Sequence, residues 1–214
     1  VDPIFGHLDR FAAGVWVTVE LTAISFALAM ALGMVAAVAR LSPAAPLRWA
    51  AAVYTELMRC TPPLALVVIF VFGLPKIGFM YSLFTSSALA LGIYTGAFVG
   101  EAIRSGIRSV PIGQIEAARA LGMGFAKVMR HVVLPQALRT VVPPLGNLFI
   151  TQIKATSIAA SVGVLDITGA ARKLNFETAQ AIPVFLGAMA AYMLLTLPAG
   201  ALVARVERRT AIVR

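Results

Sequence analysis

Five long apolar stretches dominate the chain, and most of its charge is gathered in the segments between them. The stretches run over about 11–39, 47–74, 83–103, 136–157 and 179–204. Each is long enough for the roughly 20 residues that an α-helix needs to cross a bilayer. No strand-like alternation persists through any of them, which argues against a β-barrel. The pattern predicts an all-α integral membrane protein with five transmembrane helices, forming one transmembrane domain over residues 1–214. The second stretch is interrupted by Pro62 and Pro63, which remove two backbone donors and open the helical ladder behind them. The longest polar interval, about 105–135, lies between the third and fourth stretches.

Composition supports this reading. The chain has 214 residues, of which 60% are hydrophobic and 13% charged, against roughly 45–50% and 25% in a soluble domain. A net charge of +9 in a soluble chain would raise nucleic acid as a partner. In a membrane chain the same charge marks cytoplasmic loops rich in Lys and Arg, so no nucleic-acid partner is expected. With the N-terminus outside, the inside segments hold Arg40, Arg48, Arg104, Arg108, Arg119, Lys127, Arg130, Arg139, Arg205, Arg208, Arg209 and Arg214. The outside segments hold only Arg10, Lys76, Arg172 and Lys173. This bias selects an outside N-terminus and an inside C-terminus, and it places 105–135 in the cytoplasm. Cys60 is single, so no intrachain disulfide forms. His7 and His131 are far apart, and no metal-ligand cluster is expected. No Gly-Lys dipeptide occurs, so the chain lacks a P-loop for nucleotide phosphates.

The cytoplasmic interval has its own pattern. "PIGQIEAARALGMG" starts with Pro111, which suits a helix start, and ends with Gly122 and Gly124, which suit a helix end. The implied helix runs from about Ile112 to Leu121. Glu116 and Arg119 share a face, and Ala117, Ala118 and Ala120 keep the helix slim. It buries too little apolar surface to be stable alone, so it suits a groove on a partner. "FAKVMRHVVLP" then reads as an amphipathic helix on the cytoplasmic leaflet, ended by Pro135.

Polar residues inside the apolar stretches are functional candidates by default. Glu56 with Arg59, and Glu101 with Arg104, are each three residues apart. They read either as local ion pairs or as contacts to substrate. Gly92, Gly96 and Gly100 form a flat stripe, either for simple helix packing or facing a dimer axis. Thr61 and the carbonyls freed by Pro62 offer polar groups within the second stretch, although a purely structural kink gives the same pattern. Asn147, Thr151 and Lys154 lie at helical spacing on one face, next to Thr156 and Ser157. Lys154 suits a carboxylate partner, or snorkelling to headgroups.

The loop also carries a spacing of known meaning. Glu116-Ala117-Ala118, then Gly122, then Val132, Leu134 and Pro135 resembles the cytoplasmic signature of permease subunits of bacterial ABC importers, with Val132 where isoleucine is usual. The likeness implies a coupling helix that docks on an ATPase subunit. Nearly the whole chain resembles the polar amino-acid branch, and within it looks most like actinobacterial glutamate permeases. "YTELMRCTPPLALVVIFVFGLP" is similar to that branch's Arg-Gly-Thr-Pro region, with Cys60 in place of glycine. "NLFITQIKATSIAASVGVLDITG" is similar to its Lys-Asp-Thr-Ser region, with Ala155 in place of an acid or amide. The resemblance implies a multi-pass subunit of the bacterial inner membrane. A second permease subunit, two ATP-binding subunits that hold ATP and Mg, and an extracytoplasmic substrate-binding protein are its implied partners, besides lipid. It also implies a substrate path near Thr61 and Pro62, Tyr94 and Glu101 of the third stretch, and the 147–157 region. Ala155 removes an anion there, which favours an acidic or amide side chain on the substrate, or else marks this subunit as the less active half of a heterodimer. An ABC permease for methionine or a quaternary amine, and an ion-coupled secondary transporter, are the rival readings.

Overall fold

The computed structural model describes residues 5–210, and these are helical apart from short connections, with no strand among them. Helix α1 (Leu8–Leu41) has 34 residues, about 51 Å at 1.5 Å per residue. It lies parallel to α4 (Leu83–Arg108) in the most extensive helix contact of the structure. Gly92 faces Leu28, Gly96 faces Ala29 and Leu32, and Gly100 faces Gly33 and Ala36. A Cβ added at Gly33 would stand 2.4 Å from Val99 Cγ1. The glycine stripe therefore serves packing within the chain and is not left open for a dimer axis.

Across this pair lies α7 (Leu134–Ala155), antiparallel to α4. Buried Gln152 joins the three helices. Its amide donates to Ser25 Oγ at 2.6 Å and accepts from Thr95 Oγ1 at 2.6 Å. Ser25 in turn donates to the Leu21 carbonyl. Unsatisfied polar groups cost several kcal/mol in hydrocarbon, and among the described residues no buried side-chain N or O atom lacks a partner.

The second apolar stretch is bent. Helix α2 (Ala45–Cys60) and the arm Pro63–Ile77, which begins as α3 (Pro63–Val68), meet at 105°. The break falls at Thr61 and Pro62, as the paired prolines require. The arm then passes through a π turn, Ile69–Gly73, before Pro75.

After α4 come α5 (Ile112–Ala120) and α6 (Phe125–Val128). Helix α6 runs on through a π turn, Met129–Val133, into α7. This corrects the expectation that Pro135 ends a separate surface helix. Pro135 lies in the first turn of α7, directly after a widened π turn, so neither its missing N–H nor its ring stops the helix.

Beyond α7 a 3₁₀ segment, Thr156–Val162, leads to α8 (Ile167–Thr178), an element with no counterpart among the five expected stretches. Buried Asp166 caps it, accepting from Gly169 N at 2.8 Å and from the Tyr192 hydroxyl at 2.9 Å. Tyr192 belongs to α9 (Ala181–Thr210), which runs antiparallel to α7, with Gly146 opposite Val203. An Arg10–Glu177 ion pair ties the start of α1 to α8. Helices α1, α4 and α9 are long and apolar enough to cross a membrane singly, and two bent pairs raise the total to as many as five. Most of the basic residues assigned to the inside lie at the opposite end from Arg10 and Glu177. Arg214 lies outside the described residues.

Two outcomes test this packing. Gly33→Ala is expected to cost about 1–3 kcal/mol of stability, read as a lowered thermal midpoint in detergent. Gly113→Ala, with no atom within 4 Å of the added carbon, is expected to be neutral or to gain about 0.5–1 kcal/mol. Equal losses would contradict the tight α1–α4 contact. Gln152→Ala is expected to cost about 1–2 kcal/mol for its two interhelical bonds. Combining it with Ser25→Ala should then cost less than the sum, and strict additivity would remove the bond from the account.

Candidate functional site

A groove of about 540 Å³ opens between the end of α2, the second half of α4 and the middle of α7. Glu101, Asn147 and Thr151 line it, three of the residues expected on the substrate path, together with Arg59, Phe98 and Thr140. With Ser105, the wall therefore carries a carboxylate, a guanidinium, an amide and three hydroxyls. Glu101 is held by Arg104, whose Nε donates to Glu101 Oε2 at 2.9 Å. Arg59 lies 3.6 Å from Glu56. Both expected local pairs thus form. Each pair also gives one member, Arg59 or Glu101, to the groove.

The other expected path residues are placed differently. Tyr94 packs on Phe98, with ring centroids 5.1 Å apart and the planes tilted by 50°, and against the core cluster of Leu66, Val67 and Leu91, and it does not line the groove. The Thr61 hydroxyl donates to the Leu57 carbonyl at 2.6 Å and closes the last turn of α2, with Pro62 exposed beside it. Lys154 is exposed on the same face as Asn147 and Thr151, one turn further along α7. Ala155 and Ser157 are half-buried, and Ser157 donates to the Lys154 carbonyl. Thr156 is fully buried and donates to the Ile153 carbonyl, so it faces the core. Thr140 was not singled out in the sequence. Its signal is periodic: 140, 144, 147 and 151 all fall on one stripe of α7.

The second feature is α5. Its range agrees with expectation within a residue. Gly122 has φ +78, the Gly122 N–H donates to the Arg119 carbonyl, and the Met123 N–H donates to the Ala118 carbonyl. These two bonds form a Schellman stop, which needs the left-handed residue that glycine supplies without strain. Ala118 is buried against Val110, Val128, Val133 and Ala137, so this alanine seats α5 on the body of the protein. Gln136 donates to Gln114 and ties α5 to α7. Glu116, Ala117 and Arg119 point outward, and Leu134 and Pro135 are exposed beyond them. Ile112, Leu121 and Phe125, exposed at 73%, 83% and 73%, give this hairpin an apolar rim.

The family of binding-protein-dependent transport system inner membrane components matches residues 29–212. The probable glutamine ABC transporter permease protein GlnM of Bacillus subtilis is 37% identical, over 98% of this chain and 97% of its own length. The glutamate transport system permease protein GluC of Corynebacterium glutamicum is 36% identical, over 92% of each. A crystal structure of an amino acid ABC transporter with histidines shares the fold at a TM-score of 0.92 and 33% identity, over 96% of each chain. The chain therefore belongs to the inner-membrane permease subunits of ABC importers, which carry no ATPase site or cofactor of their own.

Proposed function

We propose that this permease admits polar amino acids, with glutamate, glutamine and aspartate as the expected class, and couples their passage to ATP hydrolysed by partner subunits. The observation that carries this reading is the groove, which offers Arg59 and Glu101 together with Asn147, Thr140 and Thr151. A free amino acid carries both a carboxylate and an ammonium group, so a wall with both charges complements its backbone. The names of GlnM and GluC support the same class. Lys154, exposed one turn above Thr151 with Ala155 beside it, adds a cation on the path and leaves no neighbouring anion. That arrangement suits a substrate whose side chain is acidic or an amide.

In this proposal residues 1–214 form one transmembrane domain with five spans, each bent pair counting as one. The N-terminus faces outside and the C-terminus inside the bacterial inner membrane. Helix α5 is the coupling helix. It is short, capped at a defined point, and presents an apolar rim around Glu116, Ala117 and Arg119 that no other part of the described chain covers. Two ATPase subunits, holding ATP and Mg, dock on this surface in the permease dimer. An extracytoplasmic binding protein delivers substrate at the end that carries α8. The groove is open on one side, and a second permease subunit closes it. When the ATPase pair closes, α5 moves, and α4 and α7 move with it because Ala118 and Gln136 fasten α5 to them.

Two measurements on the assembled transporter in proteoliposomes test this. Glu116→Lys and Gly122→Val are expected to insert and fold but to lose substrate-stimulated ATPase activity. A non-glycine at Gly122 costs about 1–2 kcal/mol, which corresponds to roughly five- to thirtyfold fewer correctly set hairpins. Gly122→Asn is expected to retain most coupling, because asparagine tolerates the left-handed region. Normal coupling in both disruptive variants would refute the role of α5. For the groove, Thr151→Val is expected to raise the half-saturating amino-acid concentration about two- to tenfold, the worth of one hydrogen bond. An unchanged concentration dependence would exclude Thr151 from the path.

A further inference from the structure

A second cavity, of about 300 Å³, lies at the end of the molecule that carries α5. Arg40 from the end of α1, Arg48 from the start of α2, and Arg104 and Arg108 from the end of α4 converge on it, with Trp49 and Ala52 as its apolar lining. Four guanidinium groups face a small volume, and the carboxylate nearest to hand, Glu101, is taken up by Arg104. Among the described residues no carboxylate lies within 4.0 Å of Arg40, Arg48 or Arg108. Arg48 is not idle. It donates to the carbonyls of Ser42 and Pro43, which fixes the α1–α2 turn and aims the guanidinium into the cavity. Three helices thus bring four guanidinium groups to one point, with a single internal carboxylate, Glu101, beside them. Such convergence costs free energy unless something negative occupies the site.

We propose that this cavity binds the phosphate of an anionic phospholipid from the cytoplasmic leaflet. The inference rests on the inward orientation proposed above. A phosphodiester accepts the paired N–H groups of arginine in a fork that a lysine does not reproduce. The surroundings point to a lipid as its source. Trp49 is 70% exposed at the mouth of the cavity, and Val35, Val38 and Leu47 are exposed on the same stretch of α1 and α2. An aromatic ring beside arginines, with aliphatic side chains next to them, is the composition of a bilayer interface. Basic pockets between helices at that depth suit lipid headgroups. A soluble phosphate gains nothing from the apolar rim, whereas an acyl chain lies along it.

Position gives the site a consequence. Arg108 is the last residue of α4, and α5 begins at Ile112. Arg104 shares its carboxylate partner with the groove, because Glu101 lines that groove. A lipid phosphate drawn between Arg40, Arg104 and Arg108 therefore fixes the end of the helix from which the coupling helix hangs.

The test is native mass spectrometry of the assembled transporter in detergent, titrated with phosphatidylglycerol or phosphatidylcholine. Phosphatidylglycerol is expected to be retained preferentially. Arg40→Gln with Arg108→Gln is expected to weaken that retention roughly thirtyfold, at about fivefold for each arginine lost. Arg139→Gln, an exposed arginine of α7 outside the cavity, controls for general loss of charge and is expected to leave retention within about twofold. Arg40→Lys with Arg108→Lys guards against misfolding and is expected to retain part of the preference. Equal retention of the two lipids, or an equal loss in Arg139→Gln, overturns the proposal. So does displacement of the lipid by millimolar inorganic phosphate, which would make this a soluble-anion site. Loss of the ATPase subunits from the double glutamine variant with lipid retention intact also overturns it, assigning the arginines to a protein contact. Orientation is read separately, by labelling Ala117→Cys with an impermeant thiol reagent in a Cys60→Ser background. Labelling from outside would refute the orientation while leaving the lipid preference in detergent as an independent result.

Discussion

The close approach of α1 and α4 is the contact on which the rest of the structure depends. Within lipid, apolar side chains gain little by leaving the bilayer for a neighbouring helix, so helices associate where their backbones come near enough for dense packing and hydrogen bonding. Gly92, Gly96 and Gly100 on α4 meet Leu28, Ala29, Leu32, Gly33 and Ala36 on α1, and the reciprocal glycine, Gly33, receives Val99. Once the two helices are this close, Ser25 and Thr95 stand near enough for a single glutamine of α7 to bond to both. The polar triad is therefore a product of the apolar contact. It fixes the rotation of α7, and that rotation turns Asn147 and Thr151 toward the groove.

Much of this was legible in the sequence, for identifiable reasons. Hydropathy located the apolar stretches because bilayer thickness sets their length. The α5 hairpin was legible because its signals are local: a proline at the start, a left-handed glycine at the end and alanines between. The bend at Thr61 follows from two adjacent prolines. Partnership was not legible. The glycine stripe announces a close neighbour but cannot say whether that neighbour is α1 or another subunit, since the identity of a contact across roughly sixty positions is not a local property. Helix α8 was missed because its buried residues, Ile167, Ala171 and Leu174, alternate with Arg172, Lys173 and Asn175 in a stretch too polar to read as a span.

The continuity through Pro135 shows a different limit. Proline stops a regular α-helical interior. Here a π turn stands before it, and the same device stands before Pro75. An extra residue in the turn moves the preceding carbonyls away from the ring, so the helix bends its hydrogen bonding without ending. No side chain marks the residue that is inserted, and the amphipathic pattern on either side is unchanged. Mechanically the difference matters. A chain that stopped at Pro135 would hang α5 on a flexible joint, whereas a helix running from Phe125 into α7 makes the segment after α5 part of the same rod as the groove wall.

That rod and α4 leave one ion pair at the point where every proposed function meets. Glu101 faces the groove and Arg104 faces the arginine-lined cavity, yet the two are bonded to each other. An ammonium group arriving in the groove competes with Arg104 for the Glu101 carboxylate. A phosphate arriving in the cavity competes with Glu101 for the Arg104 guanidinium. Each occupant therefore frees the partner that the other seeks, and the two equilibria are linked with the same sign in both directions. Arg108 lies one turn beyond Arg104 and just before α5, so a change in this pair is registered at the base of the proposed coupling helix without any long chain of intermediates. The shortest physical route between the groove and the surface of α5 proposed to meet the ATPase is this single helical turn.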